Sequence, residues 1–141
     1  MIYTPLTKLA MKIAYEAHRV QTDKSGIQYI YHPIHLAEQM DTEAECVTAL
    51  LHDVAEDTDI TLDELTEEFP KEVIDALRLL TRRDDEDYME YVERIKANSI
   101  AVKVKKADLH HNSDRTRLEN PALRDIERWE KYKRALAVLE E

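Results

Sequence analysis

The sequence predicts an all-α domain of about seven or eight helices, and three observations carry that expectation. The 141 residues include one glycine, Gly26, and four prolines, while Ala, Leu, Glu, Lys and Arg are frequent. Apolar residues recur at spacings of three and four along most of the chain. Val102 and Val104 offer a short alternation that mimics a strand, but no partner strand is evident. At this length one domain, residues 1–141, is expected, and 43% hydrophobic residues suffice for a single core.

The elements follow in order. Leu6, Leu9, Ala10, Ile13, Ala14 and Ala17 line one face of a helix over 6–20, and Pro5 suits its first turn. Thr22 to Gln28 is polar and holds Gly26, so it reads as a loop. Pro33 suits the first turn of a second helix running to about Met40. Asp41 or Thr42 can cap a third, with Ala44, Val47, Ala49, Leu50, Leu51 and Val54 apolar. Thr61 with Glu64 is a capping-box pattern opening a short helix to Phe69. Pro70 starts another, with Val73, Ile74, Leu77 and Leu80 inward. Asp84 to Asp87 load negative charge at the start of a helix through Lys96, where the dipole favours it. Residues 99–112 form a further helix, and 121–140 the last, with Pro121 near its start.

Composition excludes several functions. A single cysteine forbids an internal disulfide and any multi-cysteine zinc or iron–sulfur site. A single glycine excludes the glycine-rich phosphate loops. No apolar run approaches the ~18 residues of a membrane span, and the N-terminus lacks a signal-peptide layout. A reduced, cytoplasmic protein with no membrane partner is expected. The net charge is −10, but residues 41–70 hold eleven acids and no Lys or Arg. The remainder carries 19 acids against 20 bases, a net of +1. A uniformly acidic shell would repel nucleic acid, and no nucleic-acid partner is expected. A localised one leaves room for a neutral or basic mouth elsewhere.

The densest constellation is Leu51-His52-Asp53-Val54-Ala55-Glu56-Asp57. On one helix, Glu56 lies four after His52 and three after Asp53, and Asp57 four after Asp53, so one face carries an imidazole and three carboxylates. Groups so packed repel, and the arrangement calls for a cation. Apolar flanks on both sides predict a largely buried helix. Further ligands are sought among His32 and His35, which are placed to share a helix face, and His110 and His111 beside Asp108. Asp108 is the one acid in an apolar and basic helix, either a salt-bridge partner of Lys105 or a ligand. Mixed imidazole and carboxylate ligands favour a divalent first-row ion with open water positions. Such an ion generates hydroxide or polarises a phosphoryl oxygen. Lys105, Asp108 and Asn112 share one stripe, which suits a phosphate next to a metal. Lys24 and Ser25, beside Gly26, form a second candidate phosphate contact.

These residues, taken in order, resemble the HD superfamily of metal-dependent phosphohydrolases. They are most similar to the hydrolase domain of the RelA/SpoT alarmone enzymes and to the stand-alone small alarmone hydrolases. Ala17-His18, Gln21, Lys24-Ser25-Gly26, Tyr29-Ile30 and His32-Pro33-Ile34 follow the first block of that family. Ala49 to Asp53 with Glu56-Asp57-Thr58 follow the second, and Leu80-Thr81-Arg82, Val104-Lys105, Ala107-Asp108 and His111-Asn112 the later ones.

The resemblance implies an HD-type helical bundle with manganese held by His32, His52, Asp53 and Asp108. Glu56 and Asp57 would position or deprotonate the attacking water, and Lys24, Ser25, Lys105 and Asn112 would contact substrate. The implied reaction hydrolyses the 3′-pyrophosphate of guanosine 3′,5′-bis(diphosphate) to GDP and pyrophosphate. The family's synthetase domain does not fit in 141 residues.

The chain departs from the family at Asp23, where an arginine is common, at Val20, where a glycine is usual, and at Lys106, where a leucine usually stands. An aspartate neither stacks on a base nor pairs with phosphate. Another nucleotide phosphate is therefore an alternative substrate, and a non-catalytic nucleotide-binding module a third reading.

Overall fold

The computed structural model describes residues 1–141, and its elements are all helical. Nine α-helical segments run in chain order: α1 (Pro5–Ala17), α2 (Tyr31–Ala37), α3 (Glu43–Leu51), α4 (Val54–Asp57), α5 (Leu62–Thr66), α6 (Lys71–Leu80), α7 (Tyr88–Ile95), α8 (Ser99–Asn112) and α9 (Leu123–Leu139). A 3₁₀ turn, Arg115–Arg117, separates the last two. Val102 and Val104 lie within α8.

Helix starts follow local chemistry. Thr4, Thr42, Thr61, Asp87 and Asn98 each accept a backbone N–H of the first turn they precede. Thr61 accepts from Glu64 as its spacing predicts. Asp125 serves α9 in reverse, its carboxylate accepting the Ala122 N–H at 2.8 Å.

The core is built around α3. Cys46, Val47, Thr48, Ala49, Leu50 and Leu51 are all buried, so this helix is enclosed on every side. It packs on α1, α2, α6 and α8, while α7 and α9 close the far side. One cluster of 26 buried residues joins these elements. Val73, Ile74, Leu77 and Leu80 of α6 all point into it, as expected.

The third helix departs from expectation. It stops at Leu51 and restarts at Val54, with Asp53 between them at φ −106° and ψ 0°. The cause is local: His52 Nδ1 takes the Ala49 carbonyl at 2.7 Å, the acceptor an unbroken helix would offer to the Asp53 N–H. The His52–Asp57 quartet therefore does not share one helix face. His52 is buried and Asp53 half-buried, but Glu56 and Asp57 are exposed on the short α4, which corrects the expectation of a largely buried helix.

The loop between α1 and α2 is held in a fixed shape. Gly26 sits at φ +81°, the left-handed region that glycine enters freely. Asp23 Oδ1 accepts from the N–H of Ser25 at 2.8 Å and of Ile27 at 3.0 Å.

Candidate active site

Three segments distant in sequence converge at the open end of α3. His32 comes from the start of α2, His52 and Asp53 from the α3–α4 break, and Asp108 from the middle of α8. One ligand atom from each lies within 4.8 Å of the others. His32 Nε2 is 2.9 Å from Asp108 Oδ1, and His52 Nε2 is 2.9 Å from Asp53 Oδ2 and 3.5 Å from Asp108 Oδ1. The break in α3 makes this meeting geometric: it turns Asp53 beside His52 rather than a helical step beyond it.

The donor set fits a divalent cation. His52 Nδ1 is committed to the Ala49 carbonyl, and its buried Nε2 has no hydrogen-bond partner although two carboxylates stand near. An imidazole lone pair facing two carboxylates is repulsive unless positive charge stands between them. With no ion there, the same field draws a proton to Nε2 instead. Burial pushes the His52 pKa down, but Asp53 and Asp108 outweigh it and hold it well above the ordinary value. Burial pushes Asp108 up, yet Lys105, His32 and His52 hold it well below the usual carboxylate range.

Asp108 makes the salt bridge that its sequence context allowed and also faces the imidazoles. Its Oδ2 pairs with Lys105 Nζ at 2.9 Å, while its Oδ1 faces His32 and accepts from Asn112 Nδ2 at 2.9 Å. Lys105, Asp108 and Asn112 thus share the predicted stripe. Lys105 is enclosed, its ammonium 5.3 Å above the Tyr91 ring, so its first partner is Asp108.

Glu56 and Asp57 flank the cluster on α4. Although the two residues are exposed overall, their carboxyls are partly desolvated against the cluster, and this and then Asp53 raise both above their ordinary values. Gln21 Nε2 donates to the Asp57 carbonyl at 3.0 Å, and His18 Nδ1 meets Gln21 Oε1 at 2.8 Å, which ties α4 to the end of α1.

A cavity of about 330 Å³ opens beside these groups, lined by Lys24, Ser25, Tyr29 and Asn112 among others. Lys24 Nζ pairs with Asp125 at 2.6 Å, and Ser25 Oγ donates to the Arg117 carbonyl. A second cavity of about 570 Å³ lies against His32, His35 and His111 and shares Asp23, Ser25, Tyr29 and Arg117 with the first. Asp23 therefore lines both cavities, but its carboxylate is spent on the loop's own N–H groups and on Arg117 at 3.5 Å.

Some neighbours have no counterpart in the sequence-level assignment. Tyr29 donates its hydroxyl to Asp53 Oδ2, and His111 bonds His32 through their Nδ1 atoms at 2.7 Å. Arg82, just past the end of α6, and Lys131, in the middle of α9, reach the face of Tyr88 at 5.3 and 4.4 Å and extend the basic stripe begun by Lys105. The i, i+3 spacing of Asp108 and His111 was a signal for the second of these contacts; nothing local marks the others. His35 and His110 are exposed and stand outside the cluster, and Lys103 pairs with Asp41 and Glu45.

Comparison with known proteins agrees with this geometry. Residues 10–136 match the family model described as the HD domain. The chain belongs to the HD domain family. This HD domain is 36% identical over 115 residues to a guanosine-3′,5′-bis(diphosphate) 3′-pyrophosphohydrolase of Haemophilus influenzae, covering 71% of this chain and 17% of that protein. It is 32% identical over 125 residues to a GTP pyrophosphokinase of Myxococcus xanthus, covering 76% and 16%. The HD domain thus spans about a sixth of the length of these relatives. A solved structure described as a metazoan ortholog of SpoT that hydrolyzes ppGpp superposes with a TM-score of 0.82, covering 99% of this chain and 88% of that one. At 21% identity, that likeness is one of fold. No helix is long and apolar enough to cross a membrane.

Proposed function

We propose that this HD domain hydrolyses the 3′-pyrophosphate of guanosine 3′,5′-bis(diphosphate), giving GDP and pyrophosphate. The observation that carries the reading is the meeting of His32, His52, Asp53 and Asp108 with an unpartnered His52 Nε2 at their centre. Those four residues would hold one divalent ion, Mn²⁺ in our reading. When bound, the ion would supply Lewis-acid stabilisation of charge on the phosphoryl oxygens.

The chain's own groups supply the rest. Glu56 and Asp57, with raised proton affinity, orient a water and take its proton. The water oxygen joins the phosphorus attached to the ribose 3′-oxygen, that P–O bond breaks, and the leaving oxygen takes up a proton. Lys24, Ser25 and Asn112 line the cavity where the nucleotide phosphates would lie, and Lys105 holds Asp108 in place while adding positive charge. The name of the relative from Haemophilus influenzae supports this substrate.

Incubation of the purified chain with Mn²⁺ and labelled guanosine 3′,5′-bis(diphosphate) tests it. Release of labelled pyrophosphate is expected. Metal bound to a folded chain without release would leave the non-catalytic nucleotide-binding reading in its place. A second substrate reading rests on Asp23, which places a carboxylate on the cavity wall. A panel of nucleotides bearing terminal phosphates or pyrophosphates separates the two, and preference for a non-guanine compound favours the second.

A further inference from the structure

We propose that His111 is the positioning residue of His32, accepting the proton that frees the other His32 nitrogen for a metal ion. The inference rests on the reading of His32 as a metal ligand. α8 carries Asp108 and His111 three residues apart, so one helix face presents both to α2. His32 lies between them, Nε2 at 2.9 Å from Asp108 Oδ1 and Nδ1 at 2.7 Å from His111 Nδ1.

Proton counting sets the direction of that second contact. A bond between two ring nitrogens needs one N–H and one lone pair. A neutral imidazole has one proton, so if Nε2 is to offer its lone pair to a cation, the proton sits on Nδ1. His32 is then the donor, and His111 must accept on Nδ1 and keep its own proton on Nε2. The ring geometry suits this. The two imidazoles lie 6° from parallel with centroids 5.0 Å apart, and the 2.7 Å nitrogen contact makes them meet edge to edge in nearly one plane. His35 packs against His111 with centroids 4.2 Å apart, which braces its ring from α2. Ligating histidines usually give this proton to a carboxylate or a carbonyl. A neutral imidazole in that place orients His32 without adding a third anion to Asp53 and Asp108.

The test measures metal affinity rather than turnover. Mn²⁺ binding is followed by electron paramagnetic resonance and calorimetry for the wild type, His32→Ala, His111→Ala and His111→Asn, with melting temperatures alongside. Asparagine places an oxygen acceptor where the Nδ1 of histidine stands. His111→Ala is expected to weaken Mn²⁺ binding by about 10- to 100-fold, and His111→Asn to recover affinity to within a few-fold of wild type. Wild-type affinity in His111→Ala, or no recovery in a folded His111→Asn, overturns the role of His111. Mn²⁺ binding that is absent in the wild type or unchanged in His32→Ala overturns the metal reading, and this inference with it. Nitrogen-15 ring spectra of the zinc-loaded wild type give a check that needs no variant. Protons on His32 Nδ1 and His111 Nε2 support the assignment, and the reverse pair of tautomers overturns it.

Discussion

At the scale of single residues, the proposed function separates the site into groups that would hold an ion and groups that would react. His32, His52, Asp53 and Asp108 converge, whereas Glu56 stands on α4 beside them. Glu56→Gln keeps shape and hydrogen bonding but removes the base. Turnover is expected to fall by about 10²- to 10⁴-fold with Mn²⁺ affinity retained, measured by pyrophosphate release and calorimetry on the same sample. Unaltered turnover would remove Glu56 from the mechanism. Asp23 calls for a different expectation from the one its sequence context suggests. An arginine there would offer a cation to a nucleotide, but it would also abandon the N–H groups of Ser25 and Ile27 and face Arg117. Each lost loop bond is worth about 1 kcal/mol. Asp23→Arg is therefore expected to raise KM, by about tenfold, whereas Asp23→Asn, which keeps an oxygen for both N–H groups, is expected to change it little. A lower KM in Asp23→Arg would show that the loop tolerates the loss. His52 and Asp53 were legible as part of the densest polar constellation and Asp108 as the one acid in an apolar and basic helix, whereas only the family resemblance singled out His32 among the histidines. Tyr29 and His111 were not assigned, because their contacts join residues 24 and 79 positions apart.

At the scale of elements, periodicity and capping chemistry located the helices, and the break in the third escaped them. Leu50 and Val54 both belong on an apolar face, so the sequence reads as one helix through them. What interrupts it is the bond from His52 Nδ1 to Ala49, and with it the placement of Asp53 toward residues of α2 and α8. That is tertiary information, which local propensity does not contain. The turn between α6 and α7 is another such device. Arg94 binds Glu86 through both carboxylate oxygens, at 2.5 and 2.8 Å, and also donates to the carbonyls of Leu79 and Thr81. Its hydrogen bond holds the Glu86 carboxyl down at about 2. A folded-state pKa below the unfolded one means stability that is present above the unfolded value, about 4.3 for glutamate, and lost as pH falls toward the folded one. Thermal melts between pH 5 and pH 2 are expected to fall less steeply in Glu86→Gln than in the wild type. Parallel curves would remove this pair from the acid sensitivity of the fold.

At the scale of the whole molecule, net charge and fold both give way to the site as the organising feature. The chain carries −10, and eleven acids fall within residues 41–70, yet Lys24, Arg117 and Arg128 line the smaller cavity and Lys105, Arg82 and Lys131 gather around Tyr88 and Tyr91. A polyanion therefore meets a local field unlike the average one. The proposed ligand set bears on the fold itself. It joins α2, the α3–α4 break and α8, which are separated along the chain and adjacent only when folded. An ion bound there binds the native state and not the unfolded one, and so stabilises it by about 2.7 kcal/mol at a hundred times its Kd. For a chain of this size that amounts to a rise of about 10 °C in Tm. Melting temperature is expected to climb with the logarithm of Mn²⁺ concentration above Kd and to fall back when a chelator is added. Asp108→Ala is expected to abolish the dependence, because it removes the carboxylate that faces both histidines. A wild-type Tm indifferent to Mn²⁺ at concentrations that saturate turnover would separate the catalytic ion from these four residues and place it elsewhere on the chain.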